Sequence, residues 1–173
     1  MEPGQDRKIA ALTFYIYVHL FYVGDYMNDI YFMQEALKEA NRAYKKGEIP
    51  VGAIIVKNNK IIGRGYNLKE KKYAVTRHAE IIAIEKASKK IKNWRLIDCI
   101  MYVTMLPCPM CASALNQSRI SKIVYGTIPN AVDKNNIYNI LNDNIYGNPV
   151  EIVENVLNSE CSEIIQKFFN KKR

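Results

Sequence analysis

Apolar residues recur at Met33, Ala36, Leu37, Ala40, Ala43 and Tyr44, the spacing that gives a helix one buried face, so the pattern predicts a helix over Ile30–Lys46. Gly47 and Pro50 end it. The period then shortens: Val51–Val56 and Ile61–Tyr66 are β-branched runs joined by Lys57-Asn58-Asn59-Lys60, which reads as a hairpin. Beyond it the pattern predicts a helix over His78–Lys90, a strand over Ile100–Thr104, a helix over Pro109–Ser118 and a strand over Lys122–Tyr125. A short helix near Tyr138–Asn142, a strand around Val150–Val153 and a helix over Ser159–Phe169, burying Cys161, Ile164, Ile165 and Phe168, complete the chain. Trp94 is expected in the core. A hairpin followed by strands alternating with helices implies an α/β three-layer (α/β/α) domain, a mixed five-stranded sheet covered by helices on both faces. With no repeat and no linker-like stretch, residues 27–173 read as one domain.

Residues 1–26 differ in kind. Arg7-Lys8 precedes the apolar stretch Ile9–Val23, which is interrupted by Thr13 and His19 and falls short of the roughly 18 residues of a spanning helix. Three readings compete: a secretion signal, a short membrane-associating helix, and an extension outside the domain. No small-residue cleavage site follows Val23, which argues against the first. The helix pattern that begins just after Met27 favours the third, so no stable membrane association is expected.

The 173 residues are 49% hydrophobic and 24% charged, a globular composition that excludes a disordered or collagen-like chain. The net charge of +8 is unevenly spread: residues 1–26 carry −1, which leaves +9 on residues 27–173. A basic excess on the folded part suits a phosphate-rich partner. The preference for Lys and Asn has a blander source in AT-rich coding, and charge alone does not decide between the two.

Four cysteines are too few for a disulfide scaffold, and Cys108 and Cys111 form a tight pair of the kind that a reducing compartment uses for metal or redox chemistry; the cytoplasm is the expected location. With Pro109 at the first helical position, both sulfurs fall on one face of a helix start, where the dipole favours thiolates. The chain has two histidines, and His19 lies in the extension. His78 is therefore the partner that completes a three-residue zinc site, leaving a fourth position open, as catalytic zinc requires. Glu80 can approach the same centre only if His78 sits at the very start of its helix, since residues two apart on a helix face different sides. There it could move protons to and from a water molecule. Two other readings of the cysteines exist. A thioredoxin-like pair should follow the first strand of a βαβ unit, which this one does not. A closed structural zinc site would need Cys99 or Cys161, both of which lie in apolar patterns expected of core thiols.

His78-Ala79-Glu80 with Pro107-Cys108-Pro109-Met110-Cys111 resembles the signature of the zinc nucleobase deaminases. The likeness extends through Ile49–Ala53, Gly65-Tyr66-Asn67, Trp94–Asp98, Tyr102-Val103-Thr104, Ser118-Arg119-Ile120, Glu160-Cys161 and Phe168-Phe169, and over nearly all of residues 27–173 the chain is similar to the bacterial tRNA-specific adenosine deaminases. The resemblance implies a cytidine-deaminase-like fold, one zinc ion (Zn2+) per chain on His78, Cys108 and Cys111, and Glu80 as the catalytic acid and base. It further implies a base pocket lined by Asn67, Pro50, Val51, Gly52 and Ala53, a homodimer, and conversion of the wobble adenosine of a tRNA anticodon loop to inosine. Leu106 stands where that family usually has Glu, Ala74-Val75 replace a common Asp-Pro, Arg77 replaces Ala, and Ile128–Asn136 replaces a Gly-rich acidic loop. These departures keep a deaminase of free nucleobases or nucleosides, of guanine or cytosine type, as the alternative.

Overall fold

The computed structural model describes residues 27–129, 132–143 and 149–172. The extension at residues 1–26 and part of the loop at Ile128–Asn136 lie outside them. Helix α1 covers residues 27–45, and Gly47 takes the left-handed turn (φ 76°) that leads out of it. Strands β1 (Gly52–Lys57) and β2 (Lys60–Tyr66) form the hairpin. Asn58 and Asn59, at φ 49° and 56°, make the two-residue turn, a conformation that asparagine tolerates better than most residues. After a four-residue helix α2 (Lys69–Lys72) come α3 (Ala79–Ile91), β3 (Ile100–Met105), α4 (Pro109–Gln117), β4 (Lys122–Thr127), α5 (Lys134–Leu141), β5 (Glu151–Val153) and α6 (Asn158–Lys172).

The sheet order is β2-β1-β3-β4-β5. β1 runs antiparallel to both β2 and β3, while β3, β4 and β5 are mutually parallel, so the sheet is mixed. Because side chains alternate along a strand, β1 sends Ala53 and Ile55 into one core and Ile54 and Val56 into another. The first core is closed by Ala79, Ala83 and Ala87 of α3, Ala112 and Leu115 of α4, and Ile137 and Leu141 of α5. The second is closed by Phe32, Met33 and Ala36 of α1 and by Cys161 of α6. This is the three-layer arrangement expected from the sequence, and both faces of the central strands are buried as that arrangement demands.

Small residues set how closely α3 lies on the sheet. Gly63 and Gly65 share the face of β2 that meets the alanine stripe of α3, and a Cβ built on Gly65 would lie 2.0 Å from the Ala79 carbonyl oxygen. The first turn of α3 is thus seated directly on backbone. That contact fixes where His78 and Glu80 stand.

Several expectations need correction. α5 begins at Lys134, four residues before the predicted start, because the Asp133 carboxylate caps it by accepting the Asn135 N–H at 2.9 Å. In α6, Cys161 and Phe168 are buried but Ile164 and Ile165 are only half-buried. Trp94 is 53% exposed, with the Arg95 guanidinium 4.1 Å from its ring centre, so it stands outside the core. Cys99 and Cys161 are fully buried core thiols, as expected.

Candidate active site

The N-termini of α3 and α4 point at the same place. His78 is the N-cap of α3 in an extended conformation (φ −73°, ψ 155°), which frees its ring to turn back past the first turn, and Cys108 is the N-cap of α4 (φ −72°, ψ 167°) with Pro109 following. Cys111 lies one turn into α4 and is fully buried. His78 Nδ1 is 3.6 Å from Cys108 Sγ and 3.5 Å from Cys111 Sγ. A tetrahedral zinc with Zn–S near 2.3 Å and Zn–N near 2.0 Å would separate its nitrogen and sulfur ligands by about 3.5 Å. The three residues therefore fit a zinc ion in both donor type and spacing. Among the described residues they are the one such cluster of histidine, cysteine and carboxylate groups.

The protonation chemistry points the same way. Hydrogen bonding from Cys111, and then from His78, holds the Cys108 thiol down to about 4. The same partnership with Cys108, together with burial, pushes Cys111 up, because two thiolates in contact repel. His78 is raised, first by its hydrogen bond with Cys108. Without a cation the cluster thus sets one thiolate beside a protonated imidazole and a second, protonated thiol, and a divalent cation bound there would take the place of those protons.

Glu80, in the first turn of α3, is 4% exposed, and burial raises its carboxyl above the usual carboxylate range. It borders a cavity of about 220 Å³ whose other walls include His78, Cys108, Asn67, Val51, Leu106 and Pro129. The cavity lies beyond the C-terminal ends of parallel strands β3 and β4, where ligands of open α/β sheets characteristically bind. Asn67 follows β2 directly, and its backbone N–H donates to the Val51 carbonyl at 3.0 Å, which ties the two strand ends together.

Of the residues expected at the pocket, Asn67, Val51, His78, Cys108 and Glu80 line the cavity, with Cys111 behind them. Pro50, Gly52 and Ala53 do not line it. The reason is the alternation along β1: Gly52 is pressed against α1, where a Cβ would lie 2.2 Å from the Ala36 carbonyl, and Ala53 belongs to the core under α3. Ile49, Lys69, Met105 and Val132 also line the cavity and were not assigned to it from the sequence. Ile49 and Val132 lie in stretches singled out there for other reasons, and nothing in the local pattern marks Lys69 or Met105, whose positions depend on the assembled sheet. Leu106, in place of the Glu common in the resembling family, is 3% exposed and adds to the apolar wall.

Comparison with known proteins agrees with this geometry. Residues 27–127 match the model of the cytidine and deoxycytidylate deaminase zinc-binding region. A tRNA-specific adenosine deaminase of Streptococcus pyogenes is 41% identical over 144 residues, which cover 83% of this chain and 91% of the relative. One of Bacillus subtilis is 40% identical over 146 residues, covering 84% and 91%. A solved structure from a study of A-to-I editing by tRNA:A34 deaminases at the wobble position of transfer RNA superposes with a TM-score of 0.72 at 31% identity, covering 78% of this chain and 98% of its own. A zinc-type ligand cluster at two converging helix starts, in a chain that matches such relatives along most of their length, makes this protein a member of the cytidine and deoxycytidylate deaminase family.

Proposed function

We propose that the protein catalyses the hydrolytic deamination of adenosine to inosine at the wobble position of tRNA. The observation that carries this reading is the likeness to enzymes named for that activity along 91% of their length. The net charge of +9 on residues 27–173 suits a substrate presented on a phosphate backbone.

In this reading His78, Cys108 and Cys111 hold the zinc, one ion per chain. Bound there, it would supply Lewis acidity that lowers the pKa of a water molecule to about 7. The chain's own carboxylate does the proton work. Glu80 accepts a proton from the attacking water and delivers it to the purine ring as the C–O bond forms at the amine-bearing carbon, then takes the proton of the added hydroxyl and delivers it to the amine as the C–N bond breaks, the carbonyl of inosine forms and ammonia leaves. Its burial suits the role, because a carboxyl raised toward neutrality can both hold and release a proton there. Asn67 and Val51 flank the base, and Leu106 and Pro129 close the cavity with apolar surface that keeps bulk water out. The target base must leave its stack to reach the cavity, and an anticodon loop presents such a base at low cost.

Residues 27–173 form the catalytic domain and residues 1–26 an extension to it; a chain starting at Met27 should retain full activity. The resemblance further supports a homodimer acting in the cytoplasm, and sedimentation at working concentration tests the first of these. Among the described residues no helix is long and apolar enough to cross a membrane.

Incubation of the purified protein with an anticodon stem-loop bearing a wobble adenosine, beside free adenosine, guanine and cytosine, tests the substrate. Inosine at the wobble position, with little ammonia from the free compounds, is expected. Ammonia from a free base with no inosine in the stem-loop would transfer the assignment to nucleobase deamination.

A further inference from the structure

Glu48 lies between α1 and β1, beside Gly47 and the exposed Ile49, a sequence context in which a glutamate reads as solvated. It is 1% exposed instead. Its carboxylate is spent on a segment about twenty residues further on: Oε1 accepts the Lys71 backbone N–H at 2.7 Å, and Oε2 accepts the Glu70 N–H at 3.2 Å and faces the Asn67 side-chain Nδ2 at 3.5 Å. Leu68, the N-cap of α2, makes no side-chain cap of its own, so these amides would otherwise be unpaired. Asn67 and Lys69, both on the cavity wall, sit at the start of the segment so held. Asn67 is tied again by its Nδ2 to the Ile49 carbonyl at 3.4 Å and by its Oδ1, which accepts the Lys69 N–H at 3.3 Å.

We propose that Glu48 is a positioning residue of the base pocket, its buried carboxylate clamping the Asn67–Lys71 segment to the stretch before β1 that carries Ile49 and Val51 and so setting the orientation of Asn67 toward the substrate. A carboxylate suits the post because only donors converge on it. Glutamine in its place would turn an NH2 group toward one of them. The inference rests on the deaminase reading for its kinetic consequence, while the clamp itself can be read without any substrate.

The test is a double-mutant cycle in the full-length, zinc-loaded protein: wild type, Glu48→Gln, Asn67→Ala and the double variant, assayed for kcat/KM on the anticodon stem-loop. Amide hydrogen exchange is measured on the same samples. Glu48→Gln should lower kcat/KM about 10- to 100-fold. In the Asn67→Ala background the same change should cost less than about 3-fold, since the two residues act through one contact. Exchange at the Glu70 and Lys71 amides should quicken at least about 10-fold while α3 keeps its protection. Equal losses in both backgrounds, or unchanged exchange at Glu70 and Lys71, would overturn the proposal. Should Glu48→Gln not fold, Glu48→Asp, one methylene too short to reach both amides, is measured in its place against the same outcomes. Wild-type protein that makes no inosine would fault the substrate reading, and the exchange result would still decide the clamp.

Discussion

Gly65→Ala is a small change with a calculable consequence for the site. A Cβ at this position would lie 2.0 Å from the Ala79 carbonyl oxygen and 2.8 Å from the Ala83 nitrogen, whereas ordinary contact begins at 3.4 Å. Both neighbours are backbone, so no side chain can swing aside, and the first turn of α3 must retreat by about 1.4 Å. Ala79 stands between His78 and Glu80, which makes that retreat a displacement of one metal ligand and of the proton-carrying carboxylate together. Overpacking of this kind destabilises by about 1 to 3 kcal/mol, and misplacement of catalytic groups by about 1 Å costs on the order of 10²-fold in rate. Gly63→Ala is the control: its Cβ would lie 2.4 Å from the Ala83 carbonyl, one turn deeper on the same helix and away from the cavity. The assay is kcat/KM for both variants, alongside zinc content and thermal unfolding. Gly65→Ala should lose about 10²-fold in kcat/KM and part of its zinc, and Gly63→Ala, with a similar fall in stability, less than about 10-fold. Equal kinetic losses in the two variants, or wild-type activity in Gly65→Ala, would refute the idea that this contact sets the site.

Cys108→Ser and Cys111→Ser should each reduce bound zinc well below one per chain by atomic emission, because a hydroxyl replaces a thiolate in a three-ligand set; full retention in either would break the ligand assignment. Glu35, which is buried on α1, pairs with Lys38 and with Arg64 at 2.6 Å, and those partners hold its carboxyl below the usual range. Because its folded pKa is depressed, its stabilisation is present above the unfolded value near 4.5 and is lost as pH falls through the folded one. Glu35→Gln should therefore lower stability by about 1 to 3 kcal/mol at pH 7, with the gap to wild type closing in denaturant melts as pH falls below 4.5 and through the depressed folded pKa. A gap that persists at low pH would mean the residue acts by packing.

What the sequence disclosed, and what it hid, follows from the range of the forces involved. The hairpin was legible because its turn needs two residues tolerant of positive φ and Asn58-Asn59 supplies them. α3 was legible because Ala79, Ala83 and Ala87 repeat at helical spacing. The metal trio could be read because cysteine and histidine are scarce in this chain and their chemistry admits few alternatives. α2 was missed because Lys-Glu-Lys-Lys has no buried face, and its amides are satisfied by Glu48 from a distant segment. Trp94 was misplaced because an aromatic residue between polar neighbours, Asn93 and Arg95, carries no signal of which side it will present. Pro50, Gly52 and Ala53 sit next to the pocket in sequence, yet alternation along β1 turns the last two into opposite layers, which only the sheet's orientation could reveal.

The most direct test of the account compares wild type with Glu80→Gln on one anticodon stem-loop, with zinc content measured in both. Wild type should convert the wobble adenosine to inosine with release of ammonia. The variant should keep its zinc and its melting temperature while losing at least about 10²- to 10⁴-fold in rate, the share carried by general acid and base catalysis. Inosine formed by Glu80→Gln within a few-fold of the wild-type rate would contradict the assignment of proton transfer to this carboxylate.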